Sequence, residues 1–290
     1  MSAHEWQLVP VVDMEQILVP WQECLRVPLG PVTFDLVHEM QERDFDYAPV
    51  FSTAEPSAAV LGLISRQRLA NLAKGGQELS EDDEGIVFLE YDEIWVKTSL
   101  SMLLGKMVER PAWMVVHEGD AEQYGPIFKT YGLVTRSDLN KHPVRVIIYE
   151  ILAKLEMALA AVVRRHFNDP FDWIRQLSEE NQARILGYWE VAKLKGVDAG
   201  PVAVTTLNDL LNVTAKDRGL YSIFGYGSRS AFEKALGGIR NIRNQTMHPV
   251  RPLITDADSC TSLKRTLGNA LTLTTRAEGK LAHTRDVQST

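Results

Sequence analysis

The strongest constraint on the fold is an internal repeat. Residues 33–40, 47–51 and 61–69 recur in the same order and kind about seventy residues later, as 98–104, 112–116 and 131–139. Each set reads as a short helix, a buried strand, a second strand and a further helix. The second strand of each copy runs into a matching turn. Gly62 is followed three residues on by Ser65, and Gly132 by Thr135. A hydroxyl at that place is suited to accept from the amides of a helix start, so Ser65 and Thr135 are expected N-caps. A single copy is too small to close a core, so the two are expected to pack face to face about a pseudo-twofold axis.

Over residues 10–142 these segments resemble a tandem pair of cystathionine-β-synthase (CBS) domains, a Bateman module. The Gly-apolar-x-Thr-x-x-Asp pattern carries the resemblance and is complete in Gly132, Thr135 and Asp138. The resemblance implies a cleft for an adenosine nucleotide, AMP, ADP or ATP. Asp138 would accept from the ribose hydroxyls, Thr135 would meet the phosphate at a helix N-terminus, and Arg136 would add charge. The first copy keeps Ser65 but has Arg68 in the position of the aspartate, a cation able to grip phosphate instead. One complete cleft and one altered cleft are expected. The alternative is a dimerisation scaffold in which Thr135 and Asp138 only cap a helix. Residues 74–85 read as a solvated acidic loop, and residues 120–126 as a hairpin extension.

After Pro143 the apolar period lengthens. Val144, Ile148, Ile151, Leu155, Leu159 and Val162 mark one long helix. A second is expected from about 172 to 195, a third from near Thr206, a fourth capped by Ser228 or Ser230, and a fifth from near Asp256. Without a strand pattern this half reads as an antiparallel bundle. The fold class is thus α+β for residues 1–142 and all-α for residues 143–290. Charge divides with it: residues 201–290 hold 12 Lys and Arg against 7 Asp and Glu, within a chain of net charge −7. A polyanion is attracted to that end.

The fourth helix closes on Arg243, Asn244 and His248, with Pro249 preventing its continuation. A fixed cation beside an imidazole suits phosphodiester chemistry. The layout and the Arg243-Asn244-x-x-x-His248 pattern resemble the HEPN (higher eukaryotes and prokaryotes nucleotide-binding) domains, as does Glu156 in its Leu-Glu-x-x-Leu setting. The resemblance implies a metal-independent endoribonuclease acting as a homodimer, with cyclic-phosphate products. His248 would assist attack by the ribose 2′-OH, Arg243 would hold the phosphate, and Asn244 would orient phosphate or imidazole. Arg240, Arg251, Lys264 and Arg265 are the candidates for binding backbone phosphates of RNA. Two other readings stand beside this one. One is a non-catalytic nucleotide-sensing adaptor that binds RNA or protein; the other is a domain masked by an antitoxin partner. Tyr188 and Trp189, and the aromatic residues of 221–226, can stack bases or fill the core.

No apolar run approaches the length of a bilayer span, and residues 1–6 lack the pattern of a signal peptide. Cys24 and Cys260 have no ligand-spaced companions. A reduced, cytoplasmic protein with neither metal nor cofactor for its chemistry is expected.

Overall fold

A computed structural model describes residues 10–55, 58–88, 94–116, 130–197 and 200–288. Residues 1–6 and the hairpin expected at 120–126 lie outside the described residues. By its contacts the chain forms two compact units. One spans Val9–Val144 and takes in Ile254–Thr261; the other contains Arg145–Leu253 and Ser262–Thr290. The sequence pattern places a single boundary, between residues 142 and 143. The reciprocal bonds between the Asn140 amide group and the Ile254 backbone, 2.9 Å each way, show why the later segment groups with the first unit.

In the first unit the strands β1 (Val19–Pro20), β2 (Val27–Pro28), β3 (Tyr47–Phe51), β4 (Val60–Ser65), β5 (Ile86–Phe88), β6 (Ile94–Trp95), β7 (Ala112–Val116) and β8 (Thr130–Thr135) form two four-stranded sheets. Their orders are β2-β3-β4-β5 and β6-β7-β8-β1. The repeat is therefore exact in pairing although the chain is permuted. The fourth strand of the second sheet comes from before the first copy. In both sheets the central hairpin pairs antiparallel with a one-step register shift before its last pair, Phe51↔Val60 or Val116↔Thr130. The outer strand preceding each hairpin runs parallel to it.

The motif glycines serve this pairing. A Cβ at Gly132 would lie 2.3 Å from the Val19 carbonyl oxygen, and one at Gly62 2.7 Å from that of Val87. Only glycine lets the fourth strand approach so closely. The helices α1 (Phe34–Glu42), α2 (Arg66–Gly75) and α3 (Leu100–Glu109) flank the hairpins. The first copy does close a core of its own, with Val27, Met40, Val50, Ile64, Leu69, Leu72 and Ile86 buried together. Between the copies the buried cluster is small: Leu63, Ala112 and Leu133. The expectation that neither copy closes a core therefore fails for the first.

The second unit is helical. α4 (His142–His166) is the long helix, followed by α5 (Pro170–Ile174), α6 (Glu179–Leu194), α7 (Leu207–Lys216), α8 (Arg218–Ile223), α9 (Arg229–Met247) and α10 (Ala257–Gln288). The single helix expected near 172–195 is two, because the Ser178 hydroxyl caps a new start by accepting from the Asn181 amide. Thr206 begins α7 with a reciprocal capping box to Asp209, and Ser228 rather than Ser230 caps α9. The aromatic stretch after Arg218 contains the unexpected short α8. Phe224 and Phe232 stack with centroids 5.7 Å apart, and both are fully buried, so these rings are core. No helix among the described residues is long and apolar enough to cross a membrane.

Candidate functional sites

The first unit holds a cleft of about 570 Å³ where the ends of β4 and β8 meet. Arg66 and Arg136, the residues directly after Ser65 and Thr135, both line it. So do Asp46, Tyr47, Gln67, Ser137 and the returning Ile254 and Thr255. Asp46 ties the two copies: it pairs with Arg66 at 3.3 Å and accepts from the Ser137 hydroxyl at 2.7 Å. Arg136 instead donates to the carbonyls of Met107, at 2.7 Å, and Val108, at the end of α3. Cations at the last carbonyls of a helix are favoured by its dipole. Burial pushes the Tyr47 phenol up, opposed by Arg136 and reinforced by Asp46. The cleft thus combines two guanidinium groups with hydroxyls and a small apolar wall of Val37, Ala70, Pro111 and Ile254. That chemistry fits a phosphate joined to a flat ring system.

Of the motif residues, Ser65 is placed as expected and the others are not. Ser65 caps α2 by accepting from the Arg68 amide. Thr135 caps nothing. Its amide and hydroxyl donate to the Asp138 carboxylate at 2.6 and 2.8 Å, and a 3-10 turn, Ser137–Asn140, follows instead of a full helix. Asp138 is buried, and its other oxygen pairs with Lys141 at 2.7 Å. Both oxygens that would serve a ribose are thus engaged within the protein. Arg68 is also committed. It forms a two-bond fork to Asp83, 2.9 Å each, rather than standing ready for phosphate. Asp83 is buried and also accepts from the Gly85 amide, so the acidic loop is fastened at that residue rather than merely solvated. The Arg68 hydrogen bonds hold the Asp83 carboxyl below its ordinary range against the opposing effect of burial.

In the helical unit, the end of α9 carries the second candidate site. Arg243 is half-buried, while Asn244 and His248 are exposed. Arg243 reaches the Asn244 side-chain oxygen at 3.5 Å. Burial raises the Glu156 carboxyl above its ordinary range, although the Arg243 guanidinium and the Leu207 amide both pull it down; Asp209 adds to the rise. Glu156 on α4 is therefore electrically coupled to the guanidinium at the end of α9. His248 is the first residue beyond that helix, and its amide bonds back to Gln245. The following turn, closed by Arg251 N–H to His248 C=O at 2.9 Å, is clasped by a buried cation. Arg145 donates to Gln245 C=O at 2.8 Å and to Arg251 C=O at 2.5 Å, three residues before and three after His248 in sequence. Burial disfavours the charge on Arg145, lowering its pKa. Arg251, Lys264 and Arg265 are exposed, whereas Arg240 is half-buried and donates to Asn212 at 2.8 Å.

No family model matches the chain. No curated protein matches it either. Solved structures do, several of them CBS-domain proteins. A haemolysin-like protein containing a CBS domain from Oenococcus oeni is 14% identical over 45% of this chain and 88% of its own, with a TM-score of 0.34. The CBS domain of a bacterial CNNM/CorC family Mg2+ transporter, in complex with ATP, is 18% identical over 46% of this chain and 87% of its own, with a TM-score of 0.30. CBSX2 in complex with AMP is 17% identical over 46% and 94%, with a TM-score of 0.31. Likenesses this low carry no argument about what this chain binds; its own geometry does.

Sequence reading missed Arg66, Asp46, Tyr47 and Ser137 in the cleft and Arg145 behind His248. Arg66 had a signal, since it follows Ser65 as Arg136 follows Thr135. The others had none: Asp46 and Ser137 meet across 91 positions, and Arg145 reaches Gln245 and Arg251 across 100 and 106.

Proposed function

We propose that the chain is a nucleotide-regulated, metal-independent endoribonuclease: residues 10–142 a CBS pair that binds an adenosine nucleotide, the helical unit a HEPN-type nuclease. The observation that carries the reading is the end of α9. An exposed imidazole is held on a turn clasped by Arg145, and about one turn earlier, near the end of α9, stands Arg243, coupled to the half-buried Glu156. His248 would take the 2′-OH proton, and Arg243 would stabilise the charge gained by the phosphate oxygens. One chain supplies one imidazole there, so a homodimer would bring a second to serve as acid. RNA would be drawn in by Arg251, Lys264 and Arg265.

For the regulatory unit we place the nucleotide's phosphate between Arg66 and Arg136, rather than on Arg68, with Thr135 in the wall and Asp138 holding Thr135 in place. A ligand alters cutting only if it binds the active and idle arrangements with different affinity. The test is incubation of purified protein with RNA in EDTA, with and without AMP, ADP or ATP, against His248→Ala and Arg243→Ala. Discrete cuts ending in 2′,3′-cyclic phosphate, lost in both variants, are expected. Equal integrity of RNA with wild type and variants under every condition overturns the nuclease. The non-catalytic adaptor is then the reading left. It is favoured by the completeness of the Arg66–Arg136 cleft within one chain.

A further inference from the structure

The helical unit contains a second polar cleft, of about 700 Å³, bounded by α6, α7 and α9. Asn181, Arg184 and Tyr188 come from α6, Asn208 and Asn212 from α7, and Arg240 from α9. The lining is unusual: two guanidinium groups, three carboxamides and a phenol ring that is 59% exposed. Arg184 is aimed by its ion pair with Asp209 at 2.5 Å. That carboxylate is 2% exposed and also accepts from the Thr206 amide and hydroxyl, so its charge is spent within the protein. Arg240 is aimed by its bond to Asn212. Each of these bonds uses one terminal nitrogen of its guanidinium. The Asn208 side-chain oxygen is buried with no hydrogen-bond partner among the described residues. A buried acceptor left bare is costly, and a bound donor would relieve it.

We propose that this cleft is a binding subsite for one nucleotide of single-stranded RNA, its phosphate between Arg184 and Arg240, its base on Tyr188 and its polar edge toward Asn208. The inference rests on the nuclease reading and specifies where the strand lies beside the reacting phosphate. Arg240 precedes Arg243 by three residues on α9, so the two guanidinium groups sit on neighbouring turns of one helix side. Planar forks match phosphate oxygens, carboxamides match base edges, and an exposed ring stacks on any base. An acidic peptide would use the guanidinium groups and leave the ring and the carboxamides idle.

The test measures anisotropy of a short labelled single-stranded RNA on full-length His248→Ala protein, which binds without cutting. Adding Tyr188→Ala is expected to weaken binding roughly five- to tenfold, and Tyr188→Phe to restore it. Adding Arg240→Gln is expected to reduce the salt dependence of log K by about 0.7, the loss of one phosphate contact. Unchanged affinity and salt slope in both variants overturn the subsite, as do failure of the parent protein to bind RNA and competition by polyglutamate as effective as that by RNA. The nuclease is read separately, with His248 intact. Cutting that survives while both variants bind normally removes only the subsite. Absent cutting with variant-sensitive binding removes only the nuclease.

Discussion

The two copies of the repeat share pairing, register shift and glycine, yet their turns are wired in opposite directions. After β4 the side chain at the turn, Ser65, accepts from the backbone of the coming helix, and ten residues of α2 follow. After β8 the donors of Thr135 face a carboxylate three residues ahead, and only a 3-10 turn follows. The seventh motif position decides which. Arg68 turns away to Asp83, leaving the cap to Ser65, whereas Asp138 takes the Thr135 amide and hydroxyl for itself. One scaffold thus yields a helix start on one side and a closed buried turn on the other. Backbone pairing is dictated by the strands and glycines, and local chemistry by one side chain.

The largest effect is expected at the shared feature. Gly132→Ala and Gly62→Ala each drive a methyl into a neighbouring strand, at 2.3 and 2.7 Å from a carbonyl oxygen, and should cost about 1–3 kcal/mol. Urea unfolding should show the larger loss for Gly132→Ala. Negligible loss in either would break the claim that both sheets are closed by a strand lying on glycine.

Next comes the turn that differs. Asp138→Asn removes the charge that holds Thr135 and Lys141 and should cost about 1–3 kcal/mol, since a buried group loses charge-assisted bonds. Ser65→Ala, the matching deletion in the first copy, removes one cap bond and should cost about 1 kcal/mol. Equal losses in unfolding measurements would show that the two wirings carry the same weight.

Much of this was legible in the sequence, for reasons that also mark where reading failed. Helical period, a helix start near Thr206, a cap at Ser228 or Ser230, and the repeat itself are local patterns, and residues 142–166 and 229–247 form helices on that basis. The roles of Arg68 and Asp138 were not legible. Each depends on a partner supplied by folding: Asp83 across a loop, and Lys141 with the Thr135 amide at a turn of unforeseen type. The cleft residues Asp46 and Ser137 meet across 91 positions, which no spacing rule can see.

The Arg68–Asp83 fork sharpens the comparison by pH, because only the first copy has it. The Asp83 carboxyl lies below its ordinary range when folded. Its contribution is present above the ordinary aspartate range and is lost as pH falls through the lowered folded value. Asp83→Asn should therefore lower Tm at neutral pH, with the gap to wild type closing in acid. A gap that is constant across the titration would show the fork to be electrostatically idle.

The smallest effect on stability, and the one that bears on function, is at the paired arginines. Arg66 meets a half-exposed Asp46 at 3.3 Å, a surface pair contributing little, whereas Arg136 ties down the carbonyl end of α3. Arg66→Gln should leave Tm within about a degree, the expectation for a surface substitution, and Arg136→Gln should lower it measurably. If both guanidinium groups hold one phosphate, calorimetry should nevertheless show each variant losing nucleotide affinity by roughly tenfold, the loss of one charge-assisted contact. Loss in Arg136→Gln alone would mean that the ligand reads only the second copy. Loss in neither would move the nucleotide out of this cleft, because no other pair of cations faces its two halves among the residues that line it.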